Sequence, residues 1–172
     1  MKTIIVIAAH GAPAKDYPLL RTGILMMLDA MQGLANRVGL LRRLERYLDG
    51  HVRSWPRTAA NDPYKAGVEA LAGRIAGRTG LEVIPAYNEF CAPDIGAAID
   101  GAVARGAEEV IVATTMTTRG GEHSETEIRE IVVEAQQRHP SVRICYAWPF
   151  DPDRVAGLFV DEIGRITGRQ FT

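Results

Sequence analysis

Two histidines and a glutamate stand just past runs that read as buried strands. His10 follows the apolar run Thr3 to Ala9, Glu89 follows Leu81 to Tyr87, and His123 ends the polar loop after Val110 to Thr114. In a parallel α/β sheet, the loops at the carboxyl ends of the strands line one crevice, and ligands bind there. Two imidazoles and a carboxylate in that crevice could hold a divalent metal, or move protons near neutral pH. Singly, each residue has a plainer reading: a histidine ending a strand, a solvated loop glutamate, or the acidic start of a surface helix complementing its dipole.

Neighbouring residues extend the set. In Gly120-Gly121-Glu122-His123-Ser124-Glu125-Thr126-Glu127, a helix starting near Glu122 carries His123 and Glu127 on one face, four residues apart. The carboxylate then orients the imidazole or shares a metal with it. Glu122 and Glu125 read as dipole partners only, and the glycine pair could leave amides free for an anion such as a substrate carboxylate. The loop Thr115-Met116-Thr117-Thr118-Arg119 offers hydroxyls and a guanidinium suited to carboxylates or phosphates, or is simply a polar loop. Cys91, a conceivable soft ligand, reads as a small buried hydrophobe. His51 and His139 read as structural. No Gly-x-Gly-x-x-Gly follows the first strand and no Walker pattern occurs, so no nucleotide is expected. No Gly-x-Ser-x-Gly elbow is present either, which removes a serine hydrolase.

The elements that must position these residues alternate. Thr3 to Ile7 is β-branched and apolar on both faces, as in a central parallel strand. Asn61-Asp62-Pro63 caps a helix that carries Val68, Leu71 and Ile75 to Gly80. Leu81 to Tyr87 is the second strand, placed at an edge by Pro85. Pro93 opens a helix through Ile95, Ile99 and Val103 that stops at Gly106. Val110 to Ala113 is the third strand, and the helix from Glu122 runs to His139-Pro140. Val142 to Tyr146 is the fourth strand, and Asp151-Pro152 caps a last helix through Val155, Phe159 and Ile163. This order predicts an α/β flavodoxin-like three-layer sandwich with a four-stranded parallel sheet, in which strands one and two are neighbours. Between His10 and Asn61 lie about fifty residues where a βα connection needs only a few. Leu19, Leu20, Ile24, Leu28 and Met31 form one helical stripe there, and Val38, Leu41, Leu44 and Leu48 form another. With Gly33 and Gly39 between them, residues 14–60 read as a helical insertion after the first strand.

At 172 residues the chain fits one domain, 1–172, able to bury a real core. A formal net charge of −1 gives no reason to expect nucleic acid or an anionic membrane as partner. The two cysteines, Cys91 and Cys145, lie far apart, as suits a reducing compartment. No apolar stretch reaches the roughly 18 residues of a membrane span. The opening residues lack a signal-peptide pattern, so a cytoplasmic location is expected.

These residues resemble a known family. The chain is similar to the small class II chelatases, the CbiX-type sirohydrochlorin cobaltochelatases, and more distantly to the ferrochelatases. The resemblance rests on Ala9-His10-Gly11, on Glu89 four residues before Pro93-Asp94-Ile95, and on Gly121-Glu122-His123-Ser124-Glu125-Thr126-Glu127-Ile128. Ala104-Arg105-Gly106-Ala107-Glu108-Glu109-Val110 also matches a stretch common before the third strand. The likeness covers residues 1–13 and about 61–165. It departs at Ala12-Pro13, at the Thr-rich loop and at the insertion, which is either a lid over the site or a dimer face.

The resemblance implies a chelatase-like fold with a tetrapyrrole in the cleft at the strand ends. His10 and His123 would hold an incoming Co2+ or Fe2+ as substrate, with Glu89 as a further ligand or base. Arg119, Thr117, Thr118 and Gly121 would contact the substrate's acetate and propionate groups. No nucleotide is needed, and a homodimer is expected. The alternatives are a non-catalytic protein that carries metal or tetrapyrrole on the same fold, and a flavodoxin-like enzyme or regulator whose histidines are incidental.

Overall fold

The computed structural model describes residues 1–31 and 38–171; Gly33 lies outside the described residues. The chain runs β1 (Thr3–Ala9), α1 (Leu19–Ala30), α2 (Gly39–Arg53), α3 (Pro63–Thr79), β2 (Glu82–Tyr87), α4 (Ile95–Ala104) and β3 (Glu109–Thr114). A π-helical turn, His123–Glu127, then leads into α5 (Ile128–Arg138), followed by β4 (Arg143–Tyr146) and α6 (Pro152–Thr167). Among the described residues the sheet has four parallel strands in the order β2-β1-β3-β4. That is the flavodoxin-like order, with β1 central and Pro85 on the edge strand as the sequence predicts.

Alternation along β1 feeds two cores. Ile4, Val6 and Ala8 pack with Val110 and Val112 beneath Ile95 and Ile99 of α4 and Ile128 and Val132 of α5. Ile5, Ile7 and Ala9 face the opposite way, toward Val68 of α3 with Tyr87 and Cys91. A strand covered on both sides has no polar face, which is why its sequence is apolar throughout. The helix starts follow local chemistry. Asp62 accepts the Lys65 N–H at 2.9 Å and Asp94 accepts that of Ala97 at 2.7 Å. Asp151 accepts from Asp153 and Arg154 in the same way.

The insertion builds a third, smaller core. Leu25 and Leu28 of α1 meet Leu48 and Val52 of α2, together with Ala14, Tyr17 and the partly buried Ile24, Leu41, Trp55 and Phe90. The predicted stripes are therefore corrected. Leu19, Leu20, Met31, Val38 and Leu44 are exposed, and Leu25 is buried in their place. A helix with one neighbour buries a narrower strip than a helix lying on a sheet, and Leu19 and Leu20 in the first turn of α1 are left in solvent. Gly39 begins α2 rather than separating the two helices.

A second correction concerns Pro93. It does not open α4; Asp94 is the cap and Ile95 the first helical residue. The Pro93 carbonyl accepts the Tyr87 N–H at 3.0 Å, so this segment runs beside β2 before the helix begins. Helix α6 is capped as expected but buries none of its side chains; Leu158, Phe159 and Ile163 are exposed. Among the described residues, no helix is long and apolar enough to cross a membrane.

The chain beyond β1 and β2 continues side by side. The Asn88 N–H donates to the Ala9 carbonyl and the Glu89 N–H to the His10 carbonyl, both at 2.8 Å. Gly11 sits at φ +95°, and a Cβ there would stand 1.9 Å from the Glu89 carbonyl oxygen. Only glycine fits both the angle and the space. Gly77, at an exposed position of α3, has nothing within 4 Å of such a Cβ. Gly11→Ala is expected to lower Tm by roughly 5 °C or more. Gly77→Ala is expected to stabilise the protein by up to about 1 kcal/mol, and differential scanning calorimetry of the two variants reads both signs.

Candidate metal centre

The fold brings His10, Glu89 and His123 together. One potential ligand atom from each lies within 4.8 Å of the others. The two imidazoles meet edge to face, with centroids 4.9 Å apart and planes at 85°. His123 Nε2 stands 3.7 Å from Glu89 Oε1. Ligands about 2.1 Å from one ion lie roughly 3.5 Å apart, so small side-chain rotations place all three on a single cation with positions left open.

Hydrogen bonds set which nitrogens are free. His10 Nδ1 lies 2.8 Å from the Gly11 carbonyl, which can only accept, so Nδ1 carries the proton and Nε2 keeps its lone pair. His123 Nδ1 lies 2.9 Å from Glu127 Oε2 and donates to it by the same reasoning. The Asn88 amide is also 2.9 Å from that nitrogen, but its donor bond goes to Glu127 Oε2 at 2.6 Å. Glu127 thus receives both donors, and Nε2 of His123 is left facing Glu89. Burial works against protonating His123. The Glu127 hydrogen bond and the charges of Glu127, Glu89 and Glu122 outweigh it and hold the imidazolium above its ordinary 6.5. For Glu127, burial is likewise overcome by the Asn88 and His123 hydrogen bonds, and its carboxyl stays below the usual range.

His123 and Glu127 share a face as the sequence predicts, but the turn between them is π-helical. The Ile128 N–H reaches back to the His123 carbonyl. The widened turn lets the Ser124 carbonyl accept from the Tyr146 hydroxyl at 2.9 Å, while Ser124 Oγ donates to the Gly121 carbonyl. This corrects the expectation of an α-helix beginning at Glu122. The amides of the glycine pair are not both free for an anion. The Gly120 N–H is taken by Glu125 Oε1 at 3.2 Å. Glu125 also accepts from Trp148 Nε1 and lies 3.6 Å from Arg119 Nε, so it does more than balance a dipole.

Two cavities border the centre. One, of about 390 Å³, is lined by Thr117, Thr118, Gly121 and His123; Arg119, turned to Glu125, is not among its walls. The other, of about 530 Å³, joins His10 and Glu89 to Leu25, Met26, Asp49 and Arg53 of the inserted helices. The insertion therefore walls the site. Cys91 lies in the core with its Sγ 3.4 Å from the Ala12 carbonyl, and burial pushes its thiol up. His51 bridges Tyr17 and Arg21, and His139 bonds Asp100 at 2.7 Å. Asn88, Arg53 and Arg57 are site neighbours that the sequence reading misses. Their partners are a side chain far along the chain and a set of backbone carbonyls, which no local pattern marks.

A family model described as CbiX matches residues 59–164. The matched segment contains Glu89 and His123, while His10 precedes it and joins them through the sheet. Among solved structures, SirB from Bacillus subtilis with Fe3+ is 20% identical, covering 95% of this chain and 48% of that one, with a TM-score of 0.47. The sirohydrochlorin chelatase SirB from Bacillus subtilis subspecies spizizenii, in complex with cobalt, is 19% identical over 92% and 49%, with a TM-score of 0.47. A CbiX protein assigned to cobalamin (vitamin B12) biosynthesis from Marinobacter aquaeolei VT8 is 16% identical over 98% and 99%, with a TM-score of 0.48. The chain spans about half the length of the two SirB chains. No curated protein matches it. The family-model match extends over more than half of the sequence and takes in two of the three converging residues, so the chain belongs to the CbiX family.

Proposed function

We propose that this chain inserts a divalent metal, cobalt or iron, into a cyclic tetrapyrrole such as sirohydrochlorin. The observation that carries the proposal is the convergence of His10, Glu89 and His123 beside a cavity of about 530 Å³ in a CbiX-family chain. A metal that is substrate must be bound and then released, which suits three donors with open positions better than a closed tetrahedral cage. Entry of the ion into the macrocycle displaces two pyrrole N–H protons. The free Nε2 atoms of His10 and His123 and the Glu89 carboxylate are acceptors already in place. Metal and proton then exchange at the same atoms: as the ion leaves Nε2 for the ring, the vacated lone pair takes a proton. Glu127 favours the resulting imidazolium on His123, and Asn88 holds Glu127 in position. Leu25, Met26 and Phe90 offer apolar surface to a flat ring. Thr117, Thr118 and Gly121 border His123, where hydroxyls and backbone suit the ring's carboxylate arms, and Arg119 would join them by leaving Glu125.

An anaerobic assay with sirohydrochlorin and Co2+ or Fe2+, followed by visible absorption, tests the reading. Many turnovers per chain are expected. A signal saturating at one equivalent would instead indicate a carrier. His10→Ala and His123→Ala are each expected to cut the rate at least about 100-fold while circular dichroism stays unchanged. Full activity in both variants would sink the assignment. In the metal-free protein, NMR titration of the imidazoles should place His123 above 6.5. Glu127→Gln should bring that midpoint down, because the lost carboxylate favours the protonated ring. An unchanged midpoint would remove Glu127 from this role. The homodimer implied by the family resemblance is read directly by sedimentation velocity on the same samples.

A further inference from the structure

The loop that carries Glu89 is strained and fully held. Phe90 adopts φ +56°, an uncommon left-handed conformation for a bulky residue. The Cys91 N–H closes onto the Glu89 carbonyl at 2.6 Å, a tight three-residue turn of the strained kind. The other three carbonyls of the loop are gripped by arginines from residues 14–60. Arg53 donates through its two terminal nitrogens to Asn88 and Cys91, both at 2.9 Å. Arg57 donates to Phe90 at 2.7 Å. Arg53 is itself fixed at the end of α2, where its Nε meets both carboxylate oxygens of Asp49 at 2.9 Å. Its two loop bonds fall on either side of Glu89. A strained turn released from such bonds relaxes by rotating its backbone, and the Glu89 side chain turns with it.

We infer that Arg53 is a positioning residue, which holds the Glu89 carboxylate on the metal by gripping the peptide carbonyls that flank it. The insertion thereby sets the geometry of the centre as well as walling it. The inference rests on Glu89 binding the metal, as the proposed function has it. The guanidinium does not touch the ion in this role; it acts through the loop. Outer residues that orient a metal ligand are typically worth about 10–100-fold in affinity.

The test is Co2+ binding to the full chain without tetrapyrrole, read by visible absorption and by titration, across a double-mutant cycle. Glu89→Ala is expected to weaken Co2+ and to shift its visible band. Arg53→Ala is expected to weaken Co2+ about tenfold or more and to produce the same band as Glu89→Ala. Because both changes remove one ligand, Arg53→Ala combined with Glu89→Ala should bind within about twofold of Glu89→Ala alone. Losses that multiply, or an Arg53→Ala protein that binds as the parent does, would overturn the inference. Should Arg53→Ala fail to fold by circular dichroism, Arg53→Lys, which keeps the charge and can reach one carbonyl, enters the same cycle and should show an intermediate loss with the same non-additivity. A Glu89→Ala protein with parental Co2+ affinity and spectrum would overturn the ligand role of Glu89, and this outcome is separate from any effect at Arg53.

Discussion

A buried ion pair, Arg57 with Asp62, ties together the segments that carry His10 and Glu89 to the centre. The two side chains are 8% and 1% exposed. Arg57 donates to Asp62, to the Ala12 carbonyl beyond β1, to the Val52 carbonyl in α2 and to the Phe90 carbonyl beyond β2. Asp62 meanwhile caps α3 and accepts from the Cys91 thiol. Removing two charges from water is costly, and it is tolerated here because almost every lone pair and proton finds a partner; only Arg57 Nε has none. Losing either member would strand the other charge, at a cost of about 3–5 kcal/mol. One interaction thus fixes the relative position of two loops and two helices, and the loops are those that open with His10 after β1 and with Asn88 and Glu89 after β2.

The sheet and the loops divide the remaining work. Strand order puts β2 and β3 on either side of β1, so the three loops open on one edge. Spacing alone would leave three side chains free to turn away. Direction comes from backbone contact at Gly11, from the carbonyl held by His10 Nδ1 and from the carboxylate held by His123 Nδ1. Each imidazole is thereby locked in one tautomer with the same nitrogen free. That is the usual way a protein prepares histidine as a ligand.

The frame of this arrangement is legible in the sequence, and its fastening is not. Ile4 to Ile7 reads as a central strand because both its faces are covered, and Asp62-Pro63 and Asp151-Pro152 read as caps because their chemistry is local. His10, Glu89 and His123 are found by position alone, since strand ends in a parallel sheet share a crevice. Asn88 is different. It matters through a carboxylate 39 residues away, and nothing near it in the sequence says so. Arg53 and Arg57 bind carbonyls, which every residue possesses, so no side-chain pattern could identify their targets. Leu19 and Leu20 mislead for another reason: helical periodicity shows which residues share a face, not whether anything lies opposite. The π-helical turn escapes as well, because it depends on the Tyr146 hydroxyl reaching across from β4.

The CbiX match begins at residue 59, which invites a view of residues 14–60 as a detachable ornament on a minimal domain. The hydrogen bonds argue otherwise. Excising that segment would strip the donors from the carbonyls of Ala12, Asn88, Phe90 and Cys91 and leave the Asp62 carboxylate buried without its cation. A trimmed chain would need new residues to supply what two arginines now supply. The two helices are in this sense part of the trunk, and shortening the chain means rebuilding the support of the Glu89 loop.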